Sequence, residues 1–212
     1  MLNLWGANWA FGDLPPGEAG VIYADPPWSF DNYSEKGEDR NPNRHYPTMS
    51  IEAIAALPVG DLAARDCALF LWVTKPVLEQ SFAVIRRWGF AYKTVGFTWV
   101  KTRESGKEFI NTGYWTRGNP ELCLLATRGA PPRNSRAVRE LVELPEARWD
   151  SDSWTDTIYA HVQQHSRKPA EVRTRIQDLV DGPYVELFAR ETAENWRSWG
   201  NQVGLFDATA EE

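Results

Sequence analysis

A short apolar segment that runs directly into two prolines constrains the fold more than any other part of this chain. Residues 21–24 read Val-Ile-Tyr-Ala, and Asp25-Pro26-Pro27-Trp28 follows. Apolar segments of this length with β-branched and aromatic members are typical of interior strands in parallel sheets. Ligands of such sheets bind beyond the carboxyl ends of the strands. The segment therefore predicts a buried strand that delivers Asp25 to a binding site.

The loop after this strand suits a weakly basic amino group on a flat ring. The two prolines remove two backbone donors, so the Asp25 carboxylate and the Pro26 carbonyl can accept hydrogen bonds from such a ligand. For the exocyclic amine of adenine, donation of both hydrogens restores the nucleophilic character that conjugation with the ring removes. Trp28 is predicted to stack on the same ring. The alternative is an ordinary surface turn, since Asp-Pro-Pro also occurs in loops without chemistry.

Apolar segments alternate with helical patterns along the rest of the chain, with Thr48 or Ser50 as the predicted cap of the first helix and Gly89 at the end of the second. We predict further strands at residues 68–73, 92–101, 122–127 and 184–189, weaker strand or turn segments at 138–144 and 157–161, and helices at 50–57, at 75–88 and from Pro169 to Gly182-Pro183. Such alternation indicates an α/β fold with a mostly parallel sheet and an antiparallel pair between residues 92 and 127. The 212 residues suit one domain, assigned to residues 1–206, followed by an acidic tail at 207–212.

The charge distribution bears on whether the chain binds nucleic acid. A net charge of -6 is unusual for such a protein, because affinity comes largely from neutralised phosphates. One loop with Gly and Pro nevertheless contains Arg128, Arg133, Arg136 and Arg139. We expect this loop at the sheet end where ligands bind, so Arg133 and Arg136 are candidate phosphate contacts. The alternative phosphate contacts are Lys36, Arg40 and Arg44 in the long loop after Trp28.

A second basic cluster falls on a predicted helix and its start, where a solvated face is an equally good interpretation. Its members are Arg167, Lys168, Arg173 and Arg175.

Several classes of protein are excluded. The chain lacks the glycine-rich signatures of dinucleotide-binding oxidoreductases and P-loop NTPases, and no Ser-His-Asp arrangement stands out. Cys67 and Cys123 lie in apolar segments, which predicts buried free thiols with no disulfide and no metal site. No apolar run approaches the ~20 residues of a membrane span, and the first residues lack the basic start of a signal peptide. We therefore expect a soluble cytoplasmic protein with no membrane partner.

Eight short motifs occur in an ordered set that spans nearly the whole chain. They are Ala-Asp-Pro-Pro-Trp at 24–28, Tyr-Pro-Thr-Met-Ser at 46–50, Leu-Phe-Leu-Trp-Val-Thr at 69–74, Trp-Val-Lys-Thr at 99–102, Thr-Gly-Tyr-Trp at 112–115, Ser-Arg-Lys-Pro at 166–169, Glu-Leu-Phe-Ala-Arg at 186–190 and Trp-Gly-Asn-Gln at 199–202. The set resembles the family of S-adenosylmethionine-dependent N6-adenine methyltransferases named after the seventy-kilodalton catalytic subunit of the eukaryotic mRNA adenosine methyltransferase. This resemblance implies a Rossmann-like methyltransferase fold in permuted order, with the catalytic motif ahead of the cofactor motif.

The resemblance also implies roles for single residues. The catalytic positions accept the target amine and stack on its ring: Asp25, Pro26, Pro27 and Trp28. The positions that match contacts to the cofactor S-adenosylmethionine are Asp25, Lys168, Leu187, Phe188, Arg190, Asn201 and Gln202, with Lys168 expected at the methionine carboxylate. Tyr46 matches an aromatic residue near the acceptor base, and Arg44 lies in the same loop, residues 29–49, which we interpret as a gate over the substrate. No metal is implied.

The chain departs from the eukaryotic members of that family. The stretch between Arg190 and Asn195 is shorter and lacks their His-Asn pair, so a second ribose contact is not assigned there. Zinc fingers and long disordered arms are absent, which suits stand-alone microbial or viral members, and for those DNA adenine is the expected acceptor. The base would be flipped out of a duplex or taken from a single strand.

Other functions stay open from the sequence. The same chemistry on RNA adenosine is one, and a non-catalytic nucleic-acid-binding subunit of a methyltransferase complex is another, although the intact Asp25 loop with Lys168 argues against it. A methyltransferase acting on a small molecule or a protein side-chain amide is mildly favoured by the negative net charge. The chain is expected to be a monomer or a homodimer.

Overall fold

The computed structural model describes residues 9–29, 48–102, 115–141, 158–161 and 168–204, and for residues 158–161 it describes the backbone alone. These residues form one seven-stranded sheet with helices on both faces. The strands are β1 (Ala19–Ala24), β2 (Ala63–Val73), β3 (Ala91–Thr102), β4 (Glu121–Arg128), β5 (Ile158–His161), β6 (Tyr184–Leu187) and β7 (Trp196–Trp199). The helices are α1 (Ile51–Ala56), α2 (Val59–Leu62), α3 (Leu78–Arg87), which follows a 3-10 turn at Lys75–Val77, and α4 (Glu171–Leu179).

The strands lie in the order β5-β3-β4-β2-β1-β6-β7. β1 lies between β2 and β6 and is parallel to both, and β7 is parallel to β6. β4 is antiparallel to both of its neighbours, β2 and β3, while β5 is parallel to β3. This topology confirms the predicted α/β class, with a mostly parallel sheet and an antiparallel pair between residues 92 and 127.

Side chains that alternate along the strands build a separate core on each face of the sheet. On β1, Ile22 faces the core that holds Ile54 of α1 and Ile85 of α3. Tyr23, the next residue, faces the core formed with Val172 and Ile176 of α4. A strand buried on both faces in this way has apolar residues at every position, which explains the continuous apolar segment in the sequence.

Local signals set the ends of two helices as the sequence predicted. The hydroxyl of Ser50 accepts a hydrogen bond from the N–H of Ala53 at 3.2 Å and so caps α1. Gly89 follows α3 with a φ of 83°, a left-handed conformation that favours glycine and ends the helix.

The structure differs from the predicted boundaries by two residues or more in three strands, and the first of them, β1, begins at Ala19 instead of Val21. β2 begins at Ala63, five residues earlier than expected, because Ala63 pairs with Ala19 of β1, while Arg65 and Asp66 interrupt the apolar pattern on which the prediction rested. β6 ends at Leu187, two residues earlier, because Phe188 adopts a φ of 62° that turns the chain away from the ladder.

Two short elements, α2 and β7, were not expected from the sequence. Each has only four residues, too few to show a helical or a strand period. The predicted segment 138–144 contributes a single bridge between Leu141 and Thr98 instead of a strand, and residues 142–144 lie outside the described residues.

Among the residues with described positions, no helix is long and apolar enough to cross a membrane, and no three His, Cys, Asp or Glu side chains are grouped to hold a metal ion.

Cys67 and Cys123 are buried free thiols, as their apolar neighbours predicted. Burial raises the pKa of the Cys67 thiol to about 12.

Candidate active site

Several strand ends meet at one edge of the sheet, which we call the Asp25 edge. The last residue of β6, Leu187, pairs with the last residues of β1 and β7, Ala24 and Trp199. The first residue of β4, Glu121, lies at the same edge because β4 is antiparallel to β2. Asp25 is the first residue beyond β1, so the loops that follow the parallel strands surround it, as in other open α/β sheets that bind ligands.

Backbone hydrogen bonds hold the loop that contains Asp25. The N–H of Trp28 donates to the Pro26 carbonyl at 2.8 Å, and the N–H of Met49 donates to the Pro27 carbonyl at the same distance. A carbonyl oxygen has two lone pairs, so Pro26 can accept a second hydrogen bond from a ligand. The loop is therefore a fixed array of acceptors at the Asp25 edge.

Trp28 belongs to the core as much as to the site. Its side chain is only 4 % exposed, and its indole N–H donates to the carbonyl of Trp72 at 2.9 Å. The bond ties the loop after β1 to the end of β2. Its predicted stacking on an acceptor base stays a prediction, but this anchoring is a second role that the sequence did not reveal.

Four charged side chains form a row at the Asp25 edge, in the order Asp25, Lys168, Glu121 and Lys101. The ammonium of Lys168 lies 2.8 Å from Oδ2 of Asp25 and 3.4 Å from Oε2 of Glu121. The other oxygen of Glu121, Oε1, forms an ion pair with Lys101. The signs alternate along the row, which we call the ionic row.

The ionic row fixes the charge states of its inner members. Burial alone would raise the pKa of Glu121, but the positive charges of Lys168 and Lys101 outweigh burial and hold that pKa at about 2. Burial would lower the pKa of Lys168, and the carboxylates of Asp25 and Glu121 instead raise it. Both groups are therefore charged at neutral pH, and the row is a stable set of two pairs.

The loops after β6 and β7 form the other half of the site. Phe188 has a φ of 62°, an uncommon conformation for a residue with a side chain. The carbonyl of Trp199 accepts a hydrogen bond from the N–H of Ala189 at 2.9 Å, and a Cβ on Gly200 would lie 2.5 Å from the carbonyl oxygen of Ala189. The two loops thus approach each other so closely that glycine is required at position 200.

Polar atoms at this edge fit a ligand that is itself polar. In the described part of the chain, the buried hydroxyls of Thr74, just beyond β2, and Ser198, in β7, have no hydrogen-bond partner. Buried hydroxyls usually have one, so such atoms favour a site that a polar molecule completes.

The predicted cofactor residues come together at the Asp25 edge. Lys168 contacts Asp25, and Leu187 is fully buried at the end of β6. Phe188 and Arg190 follow in the next turn and are partly buried, and Asn201 and Gln202 follow Gly200 with exposed side chains. The set offers a cation, amides and apolar walls, which are the groups that a charged amino acid joined to a nucleoside requires. The predicted substrate residues Arg44 and Tyr46 lie outside the described residues.

The location expected for Arg133 and Arg136 is wrong. Both side chains are exposed, but they follow the end of β4, and β4 runs antiparallel to β2. Its end therefore lies at the edge of the sheet opposite Asp25. The backbone N–H of Asn134 donates to the carbonyl of Leu179 at the end of α4, which fixes this loop there. Their contact with phosphates is untested, but the sheet direction no longer supports it.

The second basic cluster is not a solvated face in its three described members. Lys168 belongs to the ionic row, and Arg173 forms ion pairs at 2.7 Å with both Glu186 and Glu191. Arg175 pairs with Glu171 and donates to the carbonyl of Leu141. The cluster instead fastens α4 to the sheet and to the chain after β4.

Four residues of this region were given no role from the sequence. Lys101 and Glu121 complete the ionic row, and Asn119 binds the backbone of Lys101 with both ends of its side-chain amide. Trp115 is 99 % exposed in the connection between β3 and β4. The motif Trp-Val-Lys-Thr contains Lys101, but only the fold shows that Glu121 lies beside it.

The fold and the site together define a Rossmann-like methyltransferase, and comparison with known proteins identifies its family. A family model described as MT-A70 matches residues 19–202. The chain is 32% identical over 211 residues to the Type II methyltransferase M.MunI of a Mycoplasma species, an alignment that covers 91% of this chain and 81% of that protein. This chain therefore belongs to the MT-A70 family.

Two other relatives differ in the acceptor that their names give. The N(6)-adenine-specific methyltransferase METTL4 of Homo sapiens is 31% identical over 197 residues, with 88% of this chain and 38% of that protein covered. The N6-methyladenosine RNA methyltransferase MTA1 of Cryphonectria parasitica is 26% identical over 195 residues, with 88% and 52% covered. The present chain is an adenine-N6 methyltransferase, and its methyl donor is S-adenosylmethionine.

Proposed function

We propose that this enzyme methylates the N6 amine of adenine in DNA, with the base flipped from a duplex or already single-stranded. The observation that carries the choice of DNA is the match to the Type II methyltransferase, which extends over 81% of that protein. The relative named for RNA is matched over 52% of its length and at lower identity. The family resemblance of the sequence favours the same acceptor.

On the acceptor side, the Asp25 loop is suited to the amine of adenine. The Oδ2 atom of Asp25 is held by Lys168, and a carboxylate has a second oxygen that can accept an amine hydrogen. The Pro26 carbonyl is the candidate acceptor for the other hydrogen. With S-adenosylmethionine bound, the methyl carbon would pass from the sulfur, which would leave as a neutral thioether, to the amine nitrogen, and the Asp25 carboxylate would stabilise the positive charge on that nitrogen and accept its proton.

On the donor side, S-adenosylmethionine supplies a methyl group bound to a positively charged sulfur. No covalent nucleophile of the protein is required, so positioning provides most of the acceleration. Lys168 is the proposed contact for the methionine carboxylate, and Leu187 and Phe188 form the proposed apolar wall. Arg190, Asn201 and Gln202 are the proposed contacts for the ribose and adenine of the cofactor.

The acceptor strand requires a surface near Asp25, since flipping a base costs about a few kcal/mol and must be offset by contacts. Trp115 and Arg117 are both exposed in the connection that leads into Glu121. An aromatic ring and a guanidinium are the groups that stack on bases and contact phosphates. We assign this connection to the acceptor strand.

RNA is the second candidate acceptor, because one relative is named as an RNA methyltransferase. The experiment incubates the protein with labelled S-adenosylmethionine and duplex DNA, single-stranded DNA, RNA or free nucleosides, then digests the products and identifies the methylated nucleoside. Asp25→Ala serves as the control that removes the catalytic carboxylate. N6-methyldeoxyadenosine from DNA supports the proposal. If only RNA is methylated, the proposal of a DNA acceptor is replaced by one of an RNA acceptor. If neither DNA nor RNA is methylated, the acceptor is a small molecule or a protein.

A further inference from the structure

Glu121 has two cationic partners, although one buried carboxylate needs only one to be neutral. Lys101 comes from the end of β3 and pairs with Oε1, whereas Lys168 comes from the segment before α4 and lies 3.4 Å from Oε2. The exposed fractions of the three side chains are 14%, 9% and 17% for Lys101, Lys168 and Glu121. Little solvent therefore screens these charges, and each pairing matters to the site.

Lys101 is the fixed partner of the two. Its backbone N–H donates to Oδ1 of Asn119 at 2.7 Å, and its carbonyl accepts a hydrogen bond from Nδ2 of the same residue at 2.9 Å. Its ammonium also lies 5.0 Å from the centre of the Trp99 ring. Asn119 precedes Glu121 by two residues, so one short segment holds both the carboxylate and its first cation.

Lys168 is the shared partner. Its ammonium is closer to Asp25, at 2.8 Å, than to Glu121, at 3.4 Å. If Lys168 were the only cation beside Glu121, its movement toward a ligand carboxylate would leave a buried negative charge unpaired. Breaking a buried pair in that way is strongly unfavourable.

We propose that Lys101 is a positioning residue for the cofactor: it neutralises Glu121 permanently, so that Lys168 is available to a ligand carboxylate. This inference rests on the proposed function, in which Lys168 binds the methionine carboxylate of S-adenosylmethionine. In this proposal Lys101 acts through Glu121 and needs no contact with the cofactor or the acceptor. Its effect is on the strength with which Glu121 competes for Lys168.

The test is calorimetric titration with S-adenosylhomocysteine of the wild type and three variants. Lys101→Met should weaken binding roughly tenfold, since one charge-assisted contact changes affinity by about that factor. Lys101→Arg keeps the charge and should bind nearly as the wild type does. The double variant Lys101→Met with Glu121→Gln should recover most of the lost affinity, because a neutral amide needs no counterion and does not hold Lys168.

The pH dependence gives a readout that a purely structural role would not move. The titratable groups around Glu121 are Lys101 on β3 and Lys168 before α4, with Asp25 after β1 and the buried, neutral thiol of Cys123, whose pKa is raised by burial. In the wild type, affinity should be flat between about pH 6 and pH 8, since Glu121, whose pKa is lowered to about 2, and Lys168, whose pKa is raised, both keep their charges over that range. In Lys101→Met, loss of a cation raises the pKa of Glu121, so affinity should rise as the pH falls and Glu121 protonates.

Each outcome decides the proposal. Unchanged affinity in Lys101→Met, or affinity that is not recovered in the double variant, overturns the proposed role of Lys101. Binding of S-adenosylhomocysteine by the wild type would still support the proposed cofactor site. Absence of binding by the wild type overturns the cofactor site itself. Should Lys101→Met fail to fold, Glu121→Gln alone is sufficient: affinity equal to or above that of the wild type supports the proposal, and weaker binding refutes it.

Discussion

The ammonium of Lys168 lies 2.8 Å from Oδ2 of Asp25, although 143 residues separate the two in the sequence. The proposed contact for the cofactor and the proposed acceptor for the target amine are thus joined in one ion pair. Binding of either ligand must change the surroundings of the other residue. Because a carboxylate and an ammonium each have more than one bonding position, the pair can be kept while both ligands are present.

Replacement of Asp25 should separate catalysis from cofactor binding. Asp25→Ala should lower the rate of methyl transfer by about 10²-fold or more, since a positioned carboxylate contributes on that scale. Affinity for S-adenosylhomocysteine should change far less, because Asp25 is only one of the proposed cofactor contacts and the others, Lys168 among them, are kept. Glu18→Gln is the matched control, as Glu18 forms an exposed ion pair with Arg197. Wild-type turnover in Asp25→Ala would remove the catalytic assignment.

Replacement of Trp28 should reveal two roles of unequal size. Trp28→Ala opens a cavity in the core and should lower the free energy of unfolding by about 3–5 kcal/mol. Trp28→Phe keeps an aromatic ring but leaves the Trp72 carbonyl without its partner, which should cost about 1–3 kcal/mol. Methyl transfer, measured below the melting temperature of both variants, should be lost mainly in Trp28→Ala. Equal loss of activity in the two variants would argue against stacking on the acceptor base.

The parts of this fold that the sequence revealed are those that local patterns determine. The continuous apolar segment 21–24 indicated a strand buried on both faces, and Thr48 or Ser50 indicated a helix start, of which Ser50 is the cap. The direction of β4 relative to β1 was not predictable: the predicted antiparallel pair leaves open whether β3 or β4 runs parallel to β1, because a strand has the same alternation of side chains in either direction. This is why Arg133 and Arg136 were expected at the edge opposite to the one where they lie.

The candidate site was predictable only where a motif contained its chemistry. Asp25 follows a buried strand, and that context indicated its place at a binding edge. The pairing of Glu121 with Lys101 and Lys168 comes from three separate segments, so no spacing in the chain reports it. Phe188 was assigned to the pocket by resemblance alone, and neither its positive φ nor the close approach of Gly200 to its backbone follows from a local pattern.

Stability in acid should report the charge of Glu121. Burial would raise the pKa of this carboxyl, but Lys168 and Lys101 lower it from 4.5 to about 2. A carboxyl with a lowered pKa in the folded protein stabilises it above the unfolded pKa, and that stabilisation is lost as the pH falls through the folded pKa. Between about pH 5 and pH 2, the wild type should therefore lose on the order of 3 kcal/mol relative to Glu121→Gln.

Urea unfolding of both proteins at a series of pH values measures this difference. Glu18→Gln provides the control, because its exposed ion pair should contribute little at any pH. Parallel pH profiles for the wild type and Glu121→Gln would show that the ionic row does not lower the pKa of Glu121.

A methyl group at position 200 should damage the cofactor site in particular. A Cβ there would lie 2.5 Å from the carbonyl oxygen and 2.8 Å from the nitrogen of Ala189, and backbone atoms cannot move aside as a flexible side chain can. Gly200→Ala should weaken binding of S-adenosylhomocysteine by about tenfold or more through displacement of the two loops. Gly60→Ala is the matched control. Gly60 lies in α2, away from this site, and a Cβ on it would lie 2.6 Å from the carbonyl oxygen of Trp88. Both variants should unfold at a lower temperature than the wild type. Equal affinity for S-adenosylhomocysteine in the two variants would show that Gly200 has no particular role in the cofactor site.

The surface that binds nucleic acid should lie beside Asp25 and not at the far edge. Trp115 is 99 % exposed in the connection into β4, and Trp115→Ala should weaken binding to a single strand by about tenfold, since stacking of one base contributes ~1–3 kcal/mol. Tyr92 is the matched control: it is 41 % exposed but lies at the start of β3, at the opposite edge. Binding that is weakened by Tyr92→Ala and unchanged by Trp115→Ala would place the strand there instead.

The salt dependence of DNA binding should distinguish Arg117, beside Asp25, from Arg133 and Arg136 at the far edge. Along β4, Arg128 lies about 23 Å from Glu121 at ~3.3 Å per residue, so a strand held at Asp25 would have to extend over the whole face to reach Arg133 and Arg136. Arg117→Ala should therefore reduce the slope of log affinity against log salt by about 0.9 on duplex DNA, the change expected for one lost phosphate contact. The double variant Arg133→Ala with Arg136→Ala should leave the slope unchanged, and neither variant should alter cofactor affinity. A reduction of about 1.8 in the double variant alone would show that the duplex crosses the far edge, and would return Arg133 and Arg136 to the phosphate-binding surface.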